Sequence, residues 1–152
     1  MYPTLLTIHS LLRSLVLAGF ALLIVRMATQ YRRPGPLAGG DALASRIFDQ
    51  AFGLQILLGL TLLLAASPFP RLAAADPASL TEDRLVFFWV IRHPMSMLLA
   101  FGIWHTGRGR AKRRPEKTYA VYAFTLALSL LLVVSAIPWP WFSYGRPLLR
   151  YF

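Results

Sequence analysis

Few residues in this chain have the chemistry to bind or transform a ligand. There are three histidines, His9, His93 and His105, no cysteine, and six acidic residues against sixteen lysines and arginines. All three histidines fall within or at the ends of long apolar stretches. Neutral imidazole nitrogen is a good ligand for iron, and an apolar helix bundle can solvate a porphyrin ring, so a pair of such imidazoles suits a bis-histidine haem b. The same pair would equally serve as polar glue, each ring hydrogen-bonding a neighbouring helix. Arg13 follows His9 by one helical turn and shares its face. At a depth of about 13–14 Å it lies too far in to reach surface water comfortably. It therefore calls for an anion or several carbonyls, such as a haem propionate, a quinone oxygen, a phospholipid phosphate, or Gln55 as a structural partner. Arg92, next to His93, is a second candidate counter-charge. The candidate cofactor-binding set is His9, His93, Arg13, Arg92 and Gln55, with His9 and His93 as the metal ligands and no catalytic residue. His105, beside Trp104 and Gly107, reads as interfacial, and Met95 and Met97 read as flexible core filler rather than axial ligands.

Positioning these groups is the work of four apolar runs. Apolar residues make up 57% of the 152 and charged residues 14%, the latter gathered in short stretches between the runs. A bilayer-spanning helix needs about 20 mostly apolar residues. That length is met over about 4–27, 42–66, 80–106 and 116–137. The fold class is all-α: a polytopic membrane protein with four transmembrane helices in an up-down-up-down bundle, forming one domain over 1–152. Pro34 and Pro36 end the first helix, and Asp41 is placed to cap the second. Pro68 and Pro70 stop the second, Ser79 and Glu82 have capping-box spacing ahead of the third, and Gly107 is its expected C-cap. Pro94 should kink the third helix, while Gly53, Gly59 and Gly102 should mark close helix contacts.

The first and third helices enter from the same side. His9 lies five residues after Thr4 and His93 eight after Leu85, depths of about 7.5 and 12 Å at 1.5 Å per residue. In such a bundle these helices are diagonal, so two imidazoles at similar depth can face each other across the core. The loops around Arg32 and Arg113 are strongly basic and the middle loop is balanced, which predicts basic loops in the cytoplasm of a bacterial inner membrane and both termini on the periplasmic side. Trp139, Trp141, Phe142 and Tyr144 read as an interfacial aromatic belt. The net charge of +10 is accounted for by topology rather than nucleic acid. Without cysteine, thiol-disulfide chemistry is excluded, including that of quinone-linked disulfide enzymes. No Walker loop, metalloprotease motif or nucleophile triad is present, nor the inverted halves of an active transporter.

The segments His9-Ser10-Leu11-Leu12-Arg13, Leu54-Gln55-Ile56-Leu57-Leu58-Gly59-Leu60, His93-Pro94 with Met97, Gly107-Arg108 and Ile137-Pro138-Trp139-Pro140 resemble those of a family of small four-helix bacterial membrane proteins described as cytochrome b-like. The chain departs from that pattern where a histidine is expected near Phe52 and an acidic residue at Arg92. The resemblance implies a membrane-embedded b-type electron-transfer module holding one haem between helices 1 and 3 through His9 and His93. Such a module exchanges electrons with quinone or with subunits of a larger membrane complex. The competing expectation is a cofactor-free accessory subunit of a respiratory or transport complex. A four-helix glutathione-using enzyme is disfavoured, because its arginine-asparagine-glutamate helix motif has no match.

Overall fold

The computed structural model describes residues 2–146, almost entirely as helix. Four helices are long and apolar enough to cross a membrane: Tyr2–Thr29, Gly39–Ala66, Arg84–Arg113 and Pro115–Ser135, here the first to fourth spans. The first packs against the second and fourth along its length, and the third packs most closely on the fourth. First and third are thus diagonal, as the alternating topology requires.

Lipid provides no hydrophobic drive for helices to associate, so packing detail and interhelical hydrogen bonds must hold the bundle together. The third and fourth spans come together at Gly107, where any Cβ would run into the Thr125 side chain. A buried polar tie crosses the same interface, with the Ser129 hydroxyl donating to the Ala100 carbonyl at 2.9 Å. Gly107 therefore lies inside a helix that continues to Arg113 rather than capping it. The reason is that the cationic run consists of good helix formers and extends the third span beyond the membrane. Gly53 meets the Phe101 ring and Gly59 the His9 ring, while Gly102 faces open space.

The middle of the bundle is closed by aromatic rings. Phe20 meets Phe48 and Phe52 edge to face at centroid distances of 4.7 and 5.3 Å. Phe48 meets Trp104 at 5.3 Å and Phe52 meets Phe101 at 5.2 Å, both nearly perpendicular. Phe20 and Trp104 are completely buried. Edge-to-face pairs add about 0.5–1.5 kcal/mol each beyond area burial, so this septum is a rigid partition.

Two carboxylates anchor the basic-loop side of the septum. Asp41 sits in the first turn of the second span, capped by Ala38 rather than by Asp41 itself. It is buried and accepts from Arg26 Nε at 2.6 Å, Gln30 Nε2 at 3.0 Å and the Tyr119 hydroxyl at 3.3 Å. Its oxygens are engaged by the first and fourth spans, which removes it from capping. Asp49 pairs with Arg108 and accepts from the Trp104 indole at 2.9 Å, with His105 Nε2 at 3.7 Å.

On the termini side the second and third spans both depart from regular α-helix. Each passes through a π-helical turn there, Leu62–Ala66 in the second span and Phe88–Arg92 in the third. The latter directly precedes Pro94, whose missing N–H leaves the Val90 carbonyl without its i+4 partner and loosens the ladder one turn upstream. Short helices Phe69–Ala75 and Ser79–Glu82 fill the loop between them. No side-chain cap is made by Ser79 with Glu82. Instead, Asp83 caps the third span, accepting from Leu85 N at 2.7 Å and Val86 N at 3.3 Å. After Ile137 the chain turns back across the bundle end to Arg146.

Candidate functional site

A cavity of about 120 Å³ lies in the termini-side half of the bundle. All four spans contribute walls, and the lining is predominantly apolar. His9, Arg13, Gln55 and His93 all line it. Four of the five residues picked out from the sequence therefore line one space.

The ring of His93 is fixed by a 2.7 Å hydrogen bond in which Nδ1 donates to the Ala136 carbonyl. That carbonyl lies at the end of the fourth span, where no following helical turn uses it. The bond selects the tautomer: Nε2 carries the lone pair. Trp89 and Phe88 flank the ring at 5.6 and 5.9 Å. His9 is held differently. Gln55 Nε2 donates to His9 Nε2 at 3.2 Å, which makes Nδ1 the protonated nitrogen. The ring lies against Gly59, the position on the second span where a side chain would crowd it.

Two atoms of this arrangement are buried with no hydrogen-bond partner among the described residues: His9 Nδ1 and Gln55 Oε1. One is a donor and the other an acceptor, and each costs about 1–3 kcal/mol when left unmet. A ligand with both capacities would satisfy them together.

Arg92 is placed elsewhere. Its guanidinium reaches the Tyr144 hydroxyl at 3.4 Å and the Ser135 carbonyl at 3.2 Å and lies over Phe88. Successive helical residues point about 100° apart, so the position that turns His93 inward turns Arg92 toward the rim. Met97 lines the cavity, whereas Met95 is exposed. His105 lies across the septum, its ring edge-on to Phe101 at 4.3 Å. Among the described residues no three histidine or acidic side chains cluster as a metal site.

A further cation reaches the cavity without having been anticipated. Arg146 arrives from the segment after the fourth span and stacks over Trp89, its Cζ 4.0 Å from the ring centroid. Only the chain reversal after Pro138 puts it there, with the Arg146 amide donating to the Pro138 carbonyl at 3.0 Å. Helical periodicity carries no information about such a return.

Fold and cavity together define an all-α four-helix membrane protein with a predominantly apolar pocket, edged by a few polar side chains, at the termini end of the bundle. The chain matches no family model, no curated protein and no solved structure.

Proposed function

We propose that this protein is a membrane-embedded electron-transfer module whose cavity takes one haem b between the first and third spans. The observation that carries the reading is the bond from His93 Nδ1 to the Ala136 carbonyl. It presents Nε2 as a lone-pair nitrogen toward an apolar cavity, the usual arrangement of a histidine ligand oriented by a backbone carbonyl. His9 would be the second imidazole to hold the group, its Nε2 then released from the Gln55 amide. Bound haem supplies one-electron exchange. The chain's own part is to fix the His93 ring and to exclude cytoplasmic water with the Phe20, Phe48, Phe52 and Phe101 septum. Its sequence resemblance to cytochrome b-like membrane proteins agrees with this assignment. In this reading the cavity lies in the periplasmic half of a bacterial inner membrane, an orientation that the positive-inside tendency of the basic loops supports.

A second reading is favoured by the buried, unmatched pair His9 Nδ1 and Gln55 Oε1. A quinol head group accepts from the first and donates to the second. In that case the protein docks quinone for a larger membrane complex.

A dithionite-reduced minus oxidised spectrum of protein purified in detergent, with quinone assayed in the same extract, separates these readings. A b-type α-band lost in both His9→Ala and His93→Ala is the expected result. No band after expression with ample haem refutes the haem assignment. Bound quinone then selects the second reading, and absence of both ligands selects a cofactor-free accessory subunit.

A further inference from the structure

A surface groove at the termini end of the bundle shares no lining residue with the cavity. Its floor is aromatic: Phe88 stacks on Tyr144 at a centroid distance of 4.0 Å, and Tyr144 on Phe142 at 5.1 Å. Two arginines of the third span, Arg84 and Arg92, line it, and no aspartate or glutamate is among the described residues that do. The carboxylate next to Arg84 in sequence, Asp83, is taken up in capping the span through the Leu85 and Val86 amides.

Irregular backbone brings both arginines to this groove. On a regular α-helix the face that starts at Arg84 continues through Phe87 and Phe88 to position 91. The π turn over Phe88–Arg92 uses one residue more. The groove is accordingly lined by Arg84, Phe87, Phe88 and Arg92, and Ile91 is not part of it. Arg92 is held in place by donating to the Ser135 carbonyl at 3.2 Å and the Tyr144 hydroxyl at 3.4 Å. Ser135 is the last residue of the fourth span, so the Arg92 guanidinium lies level with that helix end. These bonds engage two of its five N–H donors, and the Tyr144 hydroxyl, accepting from Arg92, keeps its own proton to donate. Arg84 is exposed and forms no ion pair with a described residue.

Phe87 and Phe142, at the same end, are 44% and 40% exposed. Aromatic rings and cations at the ends of spans belong to the head-group layer, where the abundant anion is the lipid phosphate. A zwitterionic lipid offsets that phosphate with an ammonium, which two arginines disfavour. An acidic glycerophospholipid has no such offset, and head-group hydroxyls would meet Ser143 and Tyr144, which also line the groove. We propose that the groove lined by Arg84 and Arg92 seats the head group of an acidic glycerophospholipid from the termini-side leaflet. The site does not depend on what the cavity binds.

The test uses the full-length protein in phosphatidylcholine nanodiscs carrying, at equal trace mole fraction, a phosphatidylglycerol or a phosphatidylcholine with a photoactivatable group near the glycerol. Cross-linked peptides are located by mass spectrometry. Phosphatidylglycerol should label the segments 80–92 and 142–144 at least about tenfold more than phosphatidylcholine does, the scale of one hydrogen bond to a charged group. Arg84→Gln should reduce that labelling about fivefold, the worth of one cation near a lipid surface, and Arg84→Lys should retain most of it. Arg92→Gln should act in the same direction; Arg84→Gln, at an exposed position, keeps the test decisive if Arg92→Gln loses its helical circular dichroism. Equal labelling by the two lipids at these segments, preference confined to the basic run near Arg113, or preference unchanged in folded Arg84→Gln overturns the proposal.

Discussion

Gly107→Ala is the most direct probe of how closely the third and fourth spans must approach. A Cβ at this position would overlap three atoms of Thr125, including its own Cβ. Rotating the threonine therefore does not clear the clash. The Thr125 hydroxyl is also tied to the Val121 carbonyl at 2.9 Å, which resists that rotation. The spans must separate by several tenths of an ångström, and the nearby bond from Ser129 to the Ala100 carbonyl stretches with them. Overpacking of this kind costs about 1–3 kcal/mol. Thr125→Ala removes Oγ1 and Cγ2 but keeps the Cβ, so the double variant should recover part of the loss, with a coupling energy of about 0.5 kcal/mol or more in a double-mutant cycle. Unfolding by SDS from bicelles, followed by tryptophan fluorescence, measures each corner of the cycle. A Gly107→Ala variant as stable as the parent, or a double variant no better than Gly107→Ala alone, would show that the close approach has been misread.

Asp41→Asn should cost about 2–3 kcal/mol through the weakened bonds from Arg26, Gln30 and Tyr119; a thermal midpoint in detergent unchanged by the substitution counts against that network. Ser129→Ala removes one interhelical bond and should lower stability by about 0.6–2 kcal/mol in the same SDS assay, the range for such bonds in membranes. Phe52→Ala breaches the septum and should destabilise by about 3–5 kcal/mol. It should also let a water-soluble thiol reagent added from the basic-loop side reach a cysteine introduced at Met97, which stays protected while Phe52 is intact. A single cysteine at Arg113 should be labelled only after the cytoplasmic side is opened, and labelling in intact cells reverses the assigned orientation.

Membrane spans make a site unusually legible because each polar residue inside them is expensive and therefore few are present. His9, Arg13, Gln55 and His93 stand out against leucine and valine, and a rise of 1.5 Å per residue is enough to align them. Arg92 was grouped with His93 by adjacency, although neighbouring helical positions point to different faces. Gly107 has the residue type of a helix end, and only the presence of Thr125 on another span reveals it as a close contact. Asp41 has the residue type of an N-cap, yet its partners Arg26, Gln30 and Tyr119 come from other segments, and no local pattern announces them. Arg146 depends on a reversal of the chain at Pro138 and lay beyond any periodic argument.

The aromatic septum also fixes how the cavity feels the electric field across the bilayer. Moving a unit charge across the whole membrane involves about 2.3 kcal/mol per 100 mV. The cavity lies wholly on the termini side of Phe20, Phe48, Phe52 and Phe101, so a charge entering from that side traverses only the nearer part of the drop. Exchange with the basic-loop side would have to cross the septum, where most of the dry thickness lies. Equilibria in the cavity should therefore respond to less than half of the membrane potential when its ligands and protons come from the side of the termini, and to the larger share when they come from the side of the basic loops.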